Sequence, residues 1–223
     1  MSDAAAAHDV VFLFDVDNTL LDNDAIIEDL KRHLVDAFGV ERERRYWELF
    51  EDLRQELGYA DYLGALQQYR LENPRDPQLL HVSLYLLRYP FADRVFAGAL
   101  RAIEAVRRRG PAAILSDGDV VFQPRKVERS GIWNAVSGEV LIYVHKELML
   151  DDVERRYPSR RYVMIDDKIH ILAAMKRVWR TRLTTVFVRQ GHYAHDAALV
   201  ATHPPADVTV DAIGEVASMA DDL

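Results

Sequence analysis

Val10-Val-Phe-Leu-Phe-Asp-Val-Asp-Asn-Thr19 joins a short apolar run to a cluster of polar and acidic residues. Val10 to Phe14 is continuous and rich in β-formers. It reads as a strand buried on both faces, the kind a parallel sheet contains. Asp15, Asp17, Asn18 and Thr19 then fall just past the carboxyl end of that strand. The next stretch of the same character is Ala112 to Leu115, and the long interval between the two reads as helical.

Within that interval Ile26, Leu30, Leu34 and Phe38 recur every fourth residue, behind Asn23 or Asp24 as N-cap and before Gly39 as the stop. Tyr46, Leu49, Phe50, Leu53 and Leu57 form a second stripe that ends at Gly58. Asp61 caps a third helix through Leu63, Leu66 and Tyr69, and Pro77 opens a fourth with Leu80, Leu84 and Leu87 on its apolar side. Four helices without an intervening strand predict an all-helical cap, residues 22–91, inserted into a core of residues 1–21 and 92–223. Hinges near Leu21–Asn23 and Pro90–Asp93 would let the cap open and close.

After Pro90 the rhythm changes. Val95, Ala99, Ile103 and Val106 mark a helix that stops at Gly110 before the strand at Ala112. A helix from Pro124 to Ser130 follows, then weak alternation from Val136 to Val144, a strand or short hairpin. A helix spans Glu147 to Tyr157. Tyr162 to Ile165, Thr184 to Val188 and Val208 to Val210 read as strands, with a helix through Ile171, Leu172, Met175 and Trp179. The alternation predicts an α/β, Rossmann-like parallel sheet with helices on both faces and right-handed crossovers.

The chain has 223 residues, 49% hydrophobic and 29% charged, which suits a soluble globular protein with a proper core. A net charge of -8 leaves no basic excess for nucleic acid. No cysteine is present, so disulfides and thiolate metal sites are excluded. Met1 to Asp9 is alanine-rich, carries Asp3 and has too little apolar length for a signal peptide. No stretch approaches the roughly 20 apolar residues of a membrane span. These features predict a cytoplasmic protein without membrane or nucleic-acid partners, either a monomer or a homodimer.

In open parallel sheets functional groups gather beyond the carboxyl ends of the strands. Three clusters occupy that position here: Asp15-Val-Asp17-Asn-Thr19, Ser116-Asp117-Gly118-Asp119, and Asp166-Asp167-Lys168. Converging carboxylates repel each other unless a cation neutralises them, and hard oxygen donors with room for water suit Mg²⁺. Lys146 adds a fixed positive charge to the same rim. Taken singly each cluster is ordinary turn or helix-cap chemistry; their joint placement at three strand ends is what points to a site. A calcium loop starting at Asp15 fails, because its sixth position is Leu20 instead of glycine and its twelfth is Ile26 instead of an acid.

In this order and spacing the residues resemble the four motifs of the haloacid dehalogenase superfamily, with the cap between motifs one and two. Asp15-Val-Asp17-Asn-Thr19 matches the first motif, Ser116 the second, Lys146 the third and Asp166-Asp167 the fourth, over Val10 to about Val188. The resemblance implies a hydrolase of phosphatase type acting on a small phosphorylated metabolite. Asp15 is then the nucleophile, and Asp17 the acid and base, suited to that by a pKa that acidic neighbours raise. Mg²⁺ would be held by Asp15, the Asp17 carbonyl and Asp166, with Asp167 beside them. Ser116, Asp117 and Lys146 would meet the substrate, and Thr19 would orient the loop. If Lys146 does not carry the phosphoryl oxygens, Lys126 or Lys168 comes next. Asn18 stands where the family often has glycine, Glu147 where it has proline, and Ile165 where it has glycine. A phosphomutase or other phosphotransferase would use the same groups. A dehalogenase reading is weakened by Asp17, and a non-catalytic phosphate-binding module by the complete set of catalytic groups.

Other features read as structural. His192-Tyr-Ala-His195 lacks further metal ligands and suits a surface or capping role, and His145 and His170 suit structural hydrogen bonds. Glu41-Arg-Glu-Arg-Arg45 reads as the solvated face of a cap helix, with an arginine toward an anionic substrate as the alternative.

Overall fold

The computed structural model describes residues 8–223, so the alanine-rich start up to Ala7 lies outside the described residues. The chain forms β1 (His8–Phe14), α1 (Asn23–Phe38), α2 (Val40–Leu57), α3 (Tyr62–Glu72), α4 (Leu79–Arg88), α5 (Ala99–Arg107) and β2 (Ala112–Asp117). It continues through α6 (Phe122–Arg129), α7 (Ile132–Ala135), β3 (Val140–Tyr143), α8 (Leu150–Arg156), β4 (Ser159–Asp166) and α9 (Ile169–Trp179). The last elements are β5 (Leu183–Val188), α10 (Gly191–His195), α11 (Ala197–Ala201), β6 (Val208–Val210) and α12 (Val216–Met219).

All six strands pair in parallel, in the order β3-β2-β1-β4-β5-β6. Alternate residues of the central strands enter different cores. Phe12, Phe14, Ile114, Val163 and Ile165 pack with α5, α7 and α12, whereas Leu13, Leu115, Tyr162 and Met164 pack with α8 and α9. Helices therefore cover both faces, which is why these strands are apolar throughout. The chain leaves β1 toward β2 and β3, then returns to the other side of β1 as β4. That reversal makes the β1–β4 boundary the switch point where a crevice opens beyond the carboxyl ends.

The interval between β1 and β2 holds α1 to α4 and a 3-10 turn at Phe91–Arg94, with no strand. α2 packs against α1 and α3, and α4 against α1 and α3; contact with the rest includes α10, the Phe91–Arg94 turn and α6. Tyr62 and Phe91 each pack at an angle against Phe122 in a small aromatic junction at the base of α3, with centroids 5.4 and 5.7 Å apart. The two connections to this helical insert run side by side. Asp22 N–H donates to Arg94 O at 2.8 Å, Phe96 N–H donates to Leu20 O at 3.0 Å, and Leu21 and Val95 form an antiparallel bridge.

The N-cap of α1 is Asp22, whose side chain accepts from Ala25 N–H at 2.9 Å, and this corrects the expected Asn23 or Asp24. Both of those side chains are drawn into tertiary contacts instead. In α4 the buried residues are Val82 and Leu86, while Leu80 is 75% exposed and Leu84 43% exposed. Both rows have helical spacing, and the neighbouring helices select the row that the leucine count does not favour. The region expected as a strand or hairpin at Val136–Val144 is the four-residue strand β3.

Candidate active site

Motif one is a tight loop closed on one carbonyl. Val16 O accepts the N–H groups of Thr19, Leu20 and Leu21 at 3.3, 2.9 and 2.9 Å, and Asp15 N–H donates to Ile165 O at 3.0 Å. The bend places Asn18 at φ +60°, the left-handed region that asparagine tolerates better than most side chains. This accounts for Asn18 at a position where glycine would serve. Its side chain adds what glycine lacks: Asn18 Nδ2 donates to Asp24 Oδ1 at 2.9 Å, and Asn18 Oδ1 accepts Asp24 N–H at 3.1 Å.

The three strand-end clusters come together. Lys146, with no solvent exposure, places Nζ 2.5 Å from Asp15 Oδ1 and 2.7 Å from Asp166 Oδ2. Ser116 Oγ lies 3.4 Å from Asp15 Oδ1 and accepts Gln123 Nε2 at 3.0 Å. Asp117 faces the protein: its Oδ1 accepts the Lys146 backbone N–H at 2.7 Å and fixes the loop that carries the lysine. Buried Thr19 does the same for motif four, its Oγ1 accepting Asp167 N–H at 3.0 Å. Asp117 and Thr19 thus orient chain segments in this structure.

Asp15, Asp166 and Asp167 are buried and bring carboxylate oxygens within 4.8 Å of one another. Asp15 Oδ2 and both oxygens of Asp167 have no hydrogen-bond donor. Bare, buried carboxylate oxygens are costly without a cation, so this donor set fits a divalent metal bound through hard oxygen ligands. The protonation tendencies agree. Burial works to raise the Asp15 pKa, but Lys146 and Lys168 outweigh it and hold the carboxyl below its usual value. Burial pushes Asp166 up and Asp167 well up against the same lysines, and pushes Asp117 to about 6. The carboxylates in turn hold Lys146 and Lys168 above the usual lysine value, despite a burial that favours their neutral forms.

Asp17 corrects one expectation. No ring of acids surrounds its carboxylate; it forms a two-pronged ion pair with Lys126 Nζ at 2.7 and 2.9 Å. Its carboxylate is not among the three that converge. Lys126 has no solvent exposure, donates also to Asn23 Oδ1 at 3.0 Å, and lies 5.6 Å from the centre of the Phe122 ring. The sequence does not point to Gln123, and it offers Asn23 only as a helix cap and Lys126 only as a reserve for Lys146. The available signal was α6 itself: Phe122, Gln123, Lys126 and Val127 are its buried face, so a lysine interrupts an apolar row.

The remaining features fall outside this centre. His192 binds Asp24 through its backbone N–H at 2.8 Å and its Nδ1 at 2.7 Å, a structural tie in keeping with the expected capping role. Arg42 pairs with Asp76 and Arg45 with Glu72, holding α2 to α3 and the turn that follows it. No helix among the described residues is long and apolar enough to cross a membrane.

Comparison with known proteins agrees with this geometry. A family model for haloacid dehalogenase-like hydrolases matches residues 10–178. A protein from Burkholderia xenovorans LB400, assigned as a haloacid dehalogenase-like hydrolase, is 64% identical; the match covers 95% of this chain and 99% of that one, with a TM-score of 0.91. The L-2-haloacid dehalogenase of Xanthobacter autotrophicus with chloropropionic acid covalently bound is 14% identical over 96% of this chain and 98% of that one, TM-score 0.61. A HAD-type hydrolase by assignment from Bacillus subtilis, bound to magnesium, is 16% identical over 96% and 99%, TM-score 0.60. The last two share the fold alone. No curated protein matches the sequence.

Proposed function

The chain belongs to the haloacid dehalogenase-like hydrolases, and from that premise we propose that it is a Mg²⁺-dependent phosphohydrolase of a small phosphorylated metabolite. What supports the reading is one juxtaposition. Asp15 has one oxygen held by Lys146 and the other bare, beside two further buried aspartates, while Asp17, two residues on, carries its carboxylate apart from them.

In this reading Asp15 attacks phosphorus, the bond to the leaving oxygen breaks, and Asp17 supplies that oxygen with a proton. Water then attacks the phosphorus of the aspartyl-phosphate, Asp17 takes its proton, and inorganic phosphate departs as the Asp15 carboxylate is restored. Lys146 and Ser116 bind the transferring oxygens, where charge has to be stabilised. Mg²⁺ held by Asp15, Asp166 and Asp167, with the Asp17 carbonyl, would screen the anionic nucleophile from an anionic ester. Residues 22–91 act as a cap over this centre, hinged at the paired segments Leu20–Asp22 and Arg94–Phe96.

The test is capture of the covalent intermediate. Rapid quench with an aryl phosphate, followed by mass spectrometry, should find phosphate on the Asp15 peptide. Asp15→Asn should remove both turnover and the adduct. Asp17→Asn should slow both steps and let the adduct persist, since its hydrolysis then lacks a base. Robust turnover by Asp15→Asn would defeat the assignment.

A further inference from the structure

A cleft of about 350 Å³ opens beside the loop that follows Ser116 and Asp117. Its walls are Tyr59 from the turn before α3, Leu63 and Gln67 from α3, and Val120, Val121 and Val144 from the core. Val120 is 84% exposed, Val121 56% and Val144 44%. Three exposed valines around one cleft at the edge of a reaction centre form an apolar surface that calls for an occupant.

The charge of this cleft is one-sided. Two carboxylates line it, Asp61 and Asp119, and among the described residues no basic side chain does. Both acids are anchored by backbone hydrogen bonds: Asp61, the N-cap of α3, accepts Gly64 N–H at 2.7 Å through Oδ1, and Asp119 Oδ1 accepts Val121 and Phe122 N–H at 2.8 and 2.7 Å just ahead of α6. They cannot swing away from an incoming anion without breaking those bonds. Of the cations of the site, Lys146 and Lys126 are already committed to Asp15, Asp166 and Asp17, and Lys168 does not line the cleft.

We propose that this cleft receives the leaving group and selects it by charge, admitting small uncharged or cationic groups and rejecting a second phosphate or a carboxylate. The inference rests on the phosphohydrolase reading and narrows its substrate to monoesters whose phosphoryl group is the sole anion. Leu63 and the valines supply apolar contact, and Tyr59 and Gln67 offer hydrogen bonds to a hydroxyl or amine.

Three esters that differ in the charge on the ring test it: phenyl, 4-carboxyphenyl and 4-(trimethylammonio)phenyl phosphate. They are assayed with the full chain and Mg²⁺ at about 0.15 M salt, where charges beyond roughly 8 Å are screened. Repulsion from the two carboxylates that line the cleft should lower kcat/KM for the carboxylated ester roughly tenfold or more, although its leaving group is chemically the better one. Gln67→Lys places a cation on the exposed rim, and Asp119→Asn keeps a capping side chain while removing a charge. Each should narrow the ratio of phenyl to carboxyphenyl turnover severalfold. Equal kcat/KM for the neutral and carboxylated esters, or a ratio unmoved by both substitutions, would overturn the charge rule alone. Failure of all three esters together with absence of phosphate on Asp15 would overturn the phosphohydrolase reading and the charge rule with it.

Discussion

Lys126 and Lys146 are both fully buried and both paired with a motif-one carboxylate, yet their removal should read out differently. Lys146 sits between Asp15 and Asp166, where it can pass to a phosphoryl oxygen, so Lys146→Ala should cost on the order of 10²–10³-fold in turnover. Ser116→Ala should fall in the same range, and for both the loss should be similar whatever the leaving group. Lys126 touches Asp17 instead, with Asn23 and the Phe122 ring fixing its place. It is a positioning residue, so Lys126→Met should slow alkyl phosphates, whose leaving oxygen needs a proton, far more than nitrophenyl phosphate, which leaves unaided. Equal losses on both kinds of ester would mean that Lys126 serves only the fold. Lys126→Arg, which keeps a cation near Asp17, should recover part of the alkyl-ester rate. The sequence exposes Asp15, Asp17, Ser116 and Asp166 because they fall at the ends of three apolar strands, and Lys146 because it stands just ahead of a helix on the same rim. Lys126 and Gln123 act from inside a helix, where only tertiary packing reveals which side they face.

Among the elements, the start of α1 is tied to the core by side chains that periodicity does not register. Asp24 accepts from Asn18 Nδ2 and from the His192 backbone, and lies 2.7 Å from His192 Nδ1, joining the motif-one loop, α1 and α10. Burial alone would raise the Asp24 pKa, but the bonds from Asn18 and His192 outweigh it and hold the carboxyl below its usual value. A depressed carboxylate contributes stability that is fully present above the unfolded-state pKa and is lost as pH falls through the folded one. Asp24→Ala should therefore cost about 1–2 kcal/mol at neutral pH, toward the lower end because the group is half-exposed. By urea titration that gap should shrink as pH falls below about 4, where the carboxylate itself is protonated. A gap that keeps widening below about pH 4 would rule out this role. The strands and most helices were legible beforehand, since caps such as Asp61 and stops such as Gly58 act locally. The wetted row of α4, Leu80 and Leu84, was not, because two rows of equal period compete and the neighbours decide between them.

For the whole molecule the decisive quantity is the charge at the sheet's switch point. Four carboxylates, Asp15, Asp117, Asp166 and Asp167, face two ammonium groups, Lys146 and Lys168, leaving two negative charges in excess when all are ionised. A divalent cation closes that balance, and because the unfolded chain has no such cluster, metal binding adds to folding stability. Mg²⁺ at about one hundred times its dissociation constant should add about 2.7 kcal/mol, or roughly 5–10 °C in Tm for a chain of this size. Chelation should reverse the shift and abolish activity, and Mg²⁺ should restore both. Asp167 gives the sharper form of the prediction, since neither of its buried oxygens has a donor and burial pushes its pKa well up. Asp167→Asn removes one of the uncompensated charges while keeping the side chain's shape. Without metal the variant should be more stable than the parent; with Mg²⁺ it should gain less. A purely structural aspartate would give the opposite sign in chelator, destabilised by the change, and an equal Mg²⁺ shift in both proteins would exclude Asp167 from the metal site. Thermal unfolding of parent and variant, each in chelator and in Mg²⁺, supplies all four values, and the coupling between substitution and metal is read from their differences.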